Sequence, residues 1–167
     1  MSKTAQLTDK FYYQFKVMVA EAKQPIWRRV VVNSNISLIN FHEFIKSITN
    51  WSYDYIFDFT VNRTRYIMSE EGASIICLND MSDHYRTVND ILVGGRKTLS
   101  HDLYYGNHYW RFKVILEKVL LDFKGRVPCC IAGKNAFPME GYIDIEEYND
   151  EVKDVSGSGE FNFTQSN

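Results

Sequence analysis

Apolar and polar residues alternate near the beginning of the chain. Between Phe15 and Val19, every second residue is a phenylalanine or a valine. This period of two predicts a strand within residues 11–22 that is buried on one face. Residues 23–25, Lys-Gln-Pro, predict a turn, and the segment IWRRVVVN predicts the returning strand of a hairpin.

The spacing of apolar residues then becomes that of an amphipathic helix. Ser37 is a suitable N-cap because its hydroxyl can accept a hydrogen bond from the first turn, and Asn50 is suited to end the helix. One helix of this kind needs the apolar face of a sheet to cover it. The apolar residues at helical spacing are Leu38, Phe41, Ile45 and Ile48, with Phe44 beside them.

After the helix, short strand-like segments alternate with turn signals. They are a strand at 55–61, a turn at Asn62-Arg63, a strand at 64–68, a short strand in SIICL (74–78), a helical turn capped by Thr87, and two strands around the turn Gly106-Asn107-His108. From residue 122 the pattern weakens, and residues 122–141 predict a loop-rich extension that packs over the body. The segment GYIDIEEYND predicts a short helix.

These elements predict an α+β fold in which a β-grasp-like mixed sheet packs on one main helix. An extra C-terminal strand at 109–121 and the loop-rich extension add to this core. Residues 1–150 are predicted to form a single domain, and residues 151–167 an acidic and polar flexible tail.

The charge is divided unevenly along the chain. Residues 1–139 carry a balance of +5, and residues 140–167 carry a balance of −7. A mildly basic body with a net charge of −2 for the whole chain does not require a polyanionic partner. Three cysteines, two of them adjacent, are not a disulfide framework. No apolar run approaches the length of a membrane span or of a signal peptide, so we expect a cytoplasmic protein without membrane contact.

A set of short motifs carries a family resemblance. In this order and spacing, the sequence resembles the plasmid pRiA4b ORF-3-like proteins over residues 12–150. The resemblance implies a compact α+β domain and supplies no activity, because the family is mostly of unknown function with loose links to transposon and plasmid genes. The motifs are PIWRRV (25–30), FHEFIK (41–46), FDFTVNRTRY (57–66), TVNDIL (87–92), YGNHYW (105–110), ILEKV (115–119) and PCCIAG…AFP (128–138).

The sequence departs from the family pattern at its polar positions. Where the family has His-Leu-His-Glu-Phe, this chain has Tyr55 to Phe59 without a histidine. The later Gly-Asp-x-Trp-x-His run has no aspartate here and ends in Phe112, and Ala-Cys-Pro is replaced by Ala-Phe-Pro at 136–138. A metal or catalytic site built on those positions would be mostly lost. We therefore expect no catalytic residues, no metal and no cofactor, and a metal-dependent enzyme with a degenerate site is only the second alternative.

The remaining titratable residues do not form a catalytic motif. His42 is expected to be a partly buried structural histidine on the helix, and His101 and Asp102, as strand neighbours, should point to opposite faces. Cys129 and Cys130 are expected in a loop, with no neighbour in sequence that would lower their pKa.

Two binding hypotheses remain. Arginines and aromatics interleaved on strands are typical of surfaces that stack bases and contact phosphates, which makes a nucleic-acid-binding accessory protein the first alternative. The main hypothesis is a non-catalytic interaction domain of mobile-element or phage-associated type that binds a protein partner, as an inhibitor or adaptor of a nucleic-acid-handling or defence complex. Tyrosine, tryptophan and arginine are the residues enriched at such interfaces. The predicted partner-binding residues are Trp27, Arg29, Arg63, Arg65, Tyr105, His108, Trp110 and Arg111; the partner and the oligomeric state stay open.

Overall fold

The structure is a computed structural model that describes residues 10–68, 75–77, 82–84, 86–152 and 160–162. Its strands are β1 (Tyr12–Val19), β2 (Trp27–Asn33), β3 (Ile56–Val61), β4 (Thr64–Met68), β5 (Ile75–Cys77), β6 (Ser82–His84), β7 (Thr98–Tyr105), β8 (His108–Leu120), β9 (Cys129–Lys134) and β10 (Glu160–Asn162). Its helices are α1 (Leu38–Thr49), α2 (Val88–Ile91) and α3 (Ile145–Glu151). The hairpin, the main helix and the strands that follow them thus lie where the hydrophobic pattern predicts them.

The ten strands of the described residues belong to one sheet, in the order β10-β9-β2-β1-β8-β7-β3-β4-β5-β6. Seven of these strands, from β9 to β4, form its main part, and three short strands extend the two edges. Every strand pairing in the described parts of the chain is antiparallel. The α+β class is therefore confirmed, the expected mixed sheet is wrong, and a β-grasp arrangement is not confirmed.

Helix α1 begins and ends as its sequence predicts. The Ser37 hydroxyl accepts a hydrogen bond from the Asn40 amide at 3.0 Å. Asn50 adopts the left-handed conformation with φ of 60°, and its amide donates to the carbonyls of Lys46 and Ser47. Leu38, Phe41 and Ile45 are fully buried against the sheet. Covering this apolar stripe is the main reason that the helix is stable in its position.

The alternation along the strands gives the sheet two different faces. The face under α1 carries the aromatic and aliphatic core, which includes Phe15, Val30, Phe59 and Phe112. The opposite face carries polar and aromatic side chains, and we call it the open face. Its main residues are Lys16, Trp27, Arg29, Asp58, Arg65, Asp102, Tyr104, Tyr109, Arg111, Lys113 and Glu117.

The region after residue 121 is more regular than its sequence indicates. Cys129 and Cys130 begin strand β9, which pairs with β2, so their predicted position in a loop is wrong. The predicted short helix is confirmed as α3. In the predicted tail, residues 153–159 and 163–167 lie outside the described residues, and Glu160–Asn162 pairs with β9. Among the described residues, no helix has the length and apolar character needed to cross a membrane.

Candidate functional site

Three arginines on the open face are each held by a carboxylate. Arg29 Nε lies 2.7 Å from Glu117 Oε2, and its Nη2 lies 3.1 Å from Oε1. Arg65 donates from Nε and Nη2 to Asp58 Oδ2 at 2.9 and 2.7 Å. Arg111 donates from Nε and Nη2 to the two oxygens of Asp102, both at 2.8 Å.

The two aspartates of this surface face each other across adjacent strands. Asp58 on β3 pairs in register with Asp102 on β7, and the residues are only 1% and 4% exposed. The Tyr104 hydroxyl contacts Asp58 Oδ2 at 3.2 Å and Asp102 Oδ2 at 3.4 Å. Asp58 Oδ1 is buried and has no hydrogen-bond partner among the described residues.

Burial and the neighbouring arginine have opposite effects on the pKa of Asp58, whereas burial and the neighbouring carboxylates both raise the pKa of Tyr104. Burial raises the pKa of Asp58, and the hydrogen bond and charge of Arg65 oppose that rise without cancelling it. Burial also raises the pKa of Tyr104, as do the nearby charges of Asp58 and Asp102. The hydrogen bond to Asp102 raises the pKa of Arg111. The site therefore keeps its arginines charged and its tyrosines protonated at neutral pH.

Trp27 lies on β2, on the part of the open face away from the two aspartates on β3 and β7. The Lys16 amino group lies 4.6 Å from the centre of the indole ring, and the Arg29 guanidinium lies 5.1 Å from it. Such cation–π contacts hold both cations over the indole ring. Trp27 and Arg29 are half-buried on the face opposite to α1. Trp27, Arg29, Arg65 and Arg111 thus lie on the same face of the sheet.

The other predicted site residues lie elsewhere. Arg63 is exposed in the turn between β3 and β4. Tyr105 and His108 lie at the β7–β8 turn on the α1 side, where their rings contact Tyr53 at centroid distances of 4.7 and 5.6 Å. Trp110 is only 2% exposed and belongs to the core, so its predicted place on a binding surface is wrong.

A buried pair of histidines lies under the sheet and was not predicted. His42 Nδ1 on α1 and His101 Nε2 on β7 are 3.1 Å apart, and His101 Nδ1 lies 3.0 Å from the Asp58 carbonyl oxygen. Burial lowers the pKa of His101 to about 4. Burial and the charges of His101 and Lys46 lower the pKa of His42 to about 2. Both rings are neutral at physiological pH. The two residues are 59 positions apart, so only the fold reveals the pair.

Phenylalanines surround this histidine pair. The rings of Phe57 and His42 are stacked with their centroids 3.7 Å apart. The rings of Phe112 and His101 are also roughly parallel, with a centroid distance of 6.3 Å. Both phenylalanines are at positions at which the sequence resemblance leads us to expect histidine. Among the described residues, no three His, Cys, Asp or Glu side chains are grouped closely enough to hold a metal ion.

Comparison with known proteins agrees with the architecture. The antiparallel sheet covered by one main helix defines an α+β domain, and the sequence matches the plasmid pRiA4b ORF-3-like protein family over residues 11–160. The chain belongs to this family. A similar solved structure is the crystal structure of a protein of unknown function, MM3350, from Methanosarcina mazei Go1, with 23% sequence identity and a TM-score of 0.67. The match covers 86% of this chain and 80% of that one, and it supports the fold alone. No curated protein matches the sequence.

Proposed function

We propose that the protein is a non-catalytic interaction domain that binds a protein partner through the open face of its sheet. The observation that carries this proposal is the pairing of Arg29, Arg65 and Arg111 with Glu117, Asp58 and Asp102. The surface combines tyrosines, a tryptophan and arginines with little local net charge. This composition is that of a protein interface rather than that of a polyanion-binding surface.

The same ion pairs disfavour the nucleic-acid alternative. A phosphate would compete with a carboxylate that already holds its arginine in two hydrogen bonds. Proteins that follow a phosphate backbone need cations that can neutralise phosphates and so displace the counterions of the nucleic acid, and here three arginines are already paired with carboxylates. Lys16 and Lys113 also add positive charge to the open face. Two lysines are fewer cations than a nucleic-acid-binding groove commonly has.

The enzyme alternative has weaker support. Phe57 and Phe112 pack against His42 and His101, so the surroundings of the histidine pair are largely aromatic and apolar. The proposal therefore assigns no reaction to this region. We also predict that the protein is cytoplasmic. Its predicted role is that of an inhibitor or adaptor in a mobile-element or phage-associated setting.

Affinity purification from the source cell with matched variants tests the proposal. Trp27→Ala combined with Lys113→Glu changes the open face without breaking one of its three arginine–carboxylate pairs. Arg96→Glu makes the same charge change at an exposed residue outside this face. We expect a specific protein to co-purify with the wild type and with Arg96→Glu, and to be lost with the double variant. Retention of the partner by a folded double variant would contradict the proposal.

A further inference from the structure

His42 lies at the wall of a small pocket beside α1 and β3. The pocket has a volume of about 290 Å³. It combines one buried imidazole with charged residues and an apolar wall. The lining residues used here are His42, Glu43, Lys46, Asp54, Phe57 and Met68.

Hydrogen bonding fixes the tautomer of His42. The Asp58 carbonyl can only accept, so the neutral His101 ring must carry its proton on Nδ1. His101 Nε2 is then an acceptor, and it must receive its hydrogen bond from His42 Nδ1–H. The lone pair of the His42 ring is therefore on Nε2. This order of donors and acceptors follows from a backbone carbonyl, which has no alternative protonation state.

His42 Nε2 is an acceptor without a donor in the described structure. Glu43 Oε1 lies 3.8 Å from this nitrogen, which is beyond hydrogen-bond distance, and a carboxylate oxygen is itself an acceptor. The His42 side chain is only 3% exposed, and the ring contributes to the lining of the pocket. A ligand that donates to Nε2 from the pocket would therefore complete the hydrogen bonding of the ring.

The charges around the pocket favour a cation. Glu43 and Asp54 supply two exposed carboxylates, and Lys46 supplies one ammonium group. Lys46 Nζ lies 3.6 Å from Glu43 Oε2 and 3.4 Å from the Tyr53 carbonyl, so these oxygens already contact its ammonium group. The net charge of the lining is negative. Phe57 and Met68 provide an apolar wall for a short aliphatic stem.

We propose that this pocket binds a cationic nitrogen donor, a guanidinium or a primary ammonium group, whose N–H donates to His42 Nε2 while Glu43 and Asp54 balance its charge. The group belongs to an arginine or lysine side chain of a polypeptide or to a free small amine. The low pKa of His42 keeps the ring neutral and able to accept at physiological pH. This site is on the α1 side of the sheet, and it is independent of the proposed role of the open face.

Nuclear magnetic resonance of the histidine rings tests the proposal in the full-length protein. In the free protein, ¹⁵N shifts should place the His42 proton on Nδ1 and the lone pair on Nε2. Nα-acetyl-arginine amide and Nα-acetyl-lysine amide are then titrated, with Nα-acetyl-citrulline amide as the neutral isostere of the arginine probe. We expect the cations to shift His42 Nε2 toward a hydrogen-bonded value, and to bind at least about tenfold more tightly than citrulline.

Variants at the exposed carboxylates provide the matched control. Glu43→Gln with Asp54→Asn should weaken binding of the arginine probe about tenfold or more, whereas Glu146→Gln with Asp150→Asn on α3 should leave it unchanged. Free arginine and agmatine distinguish the source: tighter binding than the blocked residues supports a small amine, and weaker or equal binding supports a polypeptide side chain.

Four results would overturn the proposal. They are a proton on His42 Nε2 in the free protein, no shift of this nitrogen with either cation, equal binding of citrulline and arginine probes, and a shift produced by zinc ions but not by the cationic probes.

Discussion

Asp58 and Asp102 face each other directly on neighbouring strands, each almost fully buried and each held by its own arginine. Like charges opposite each other in a sheet are destabilising. The pair persists because Arg65 and Arg111 neutralise it from the solvent side. The four residues therefore act as one charge-balanced unit in the middle of the open face, and removing one cation exposes the repulsion.

Replacing Arg65 by alanine should lower the free energy of unfolding by about 1–2 kcal/mol, because the buried Asp58 carboxylate loses its cation. The loss is limited because the Arg65 side chain is 48% exposed, so that solvent screens the ion pair. Urea unfolding at neutral pH measures this change. Arg96→Ala, at an exposed position outside the open face, should change stability by less than about 0.5 kcal/mol.

The same unit predicts a partial rescue. Asp58→Asn removes the charge that Arg65 balances, so adding it to Arg65→Ala should recover about half of the lost stability or more. A double variant less stable than Arg65→Ala would show that electrostatic repulsion between Asp58 and Asp102 is not the source of the loss.

The histidine pair makes the fold sensitive to acid. The folded pKa of His101 is about 4, below the unfolded value near 6.5, so its contribution is complete above pH 6.5 and is lost as the pH falls toward 4. The unfolded chain binds a proton in this window that the folded chain does not. Stability should fall by about 2 kcal/mol from this residue between pH 7 and pH 4.5.

His101→Gln is the matched control for this effect. A glutamine amide can donate to the Asp58 carbonyl and accept from His42, and it does not titrate. Urea unfolding over the same pH series should give a smaller decline for His101→Gln than for the wild type. Identical pH profiles for the two proteins would contradict the assignment of a buried neutral histidine.

The strands and the main helix could be predicted because their apolar residues follow a period of two or of 3.6, and because Ser37 and Asn50 mark the ends of α1. Strand β9 was missed since Cys129 to Gly133 shows no such period. The direction of strand pairing was also missed, because alternation fixes which residues share a face and not which strands are neighbours. Alternation already places Trp110 on the face opposite to Arg111, together with Phe112 and Val114, so its burial could have been predicted. The His42–His101 pair depends on which elements are neighbours in the fold.

Glu140 should anchor the segment after β9 to the end of α1. Its carboxylate accepts hydrogen bonds from the amides of Ser52 and Tyr53 and from the Tyr55 hydroxyl. Burial acts to raise the pKa of Glu140, and these hydrogen bonds outweigh it and lower the pKa. Glu140→Ala should speed hydrogen exchange at Ser52 and Tyr53 by about tenfold or more. The exposed control Glu146→Ala should leave exchange at both amides unchanged; equal effects would contradict this anchoring role.

Nucleic-acid binding should be weak even at low salt. Gel-shift assays with single- and double-stranded DNA and RNA across a salt series should show no tight complex, because Arg29, Arg65 and Arg111 are already paired. A tight complex whose affinity falls steeply with salt, and falls further with Lys113→Glu, would favour the nucleic-acid alternative.

Site-specific photocrosslinking in the source cell tests the central claim most directly. A photoreactive phenylalanine analogue replaces Tyr109 on the open face, or the exposed Leu121 beyond the end of β8 as the control. We predict that the Tyr109 position crosslinks to one specific protein, that the Leu121 position does not, and that Trp27→Ala with Lys113→Glu abolishes the product. Crosslinks to nucleic acid from Tyr109, or the same protein captured equally from both positions, would contradict the assignment of the open face as a protein-binding surface.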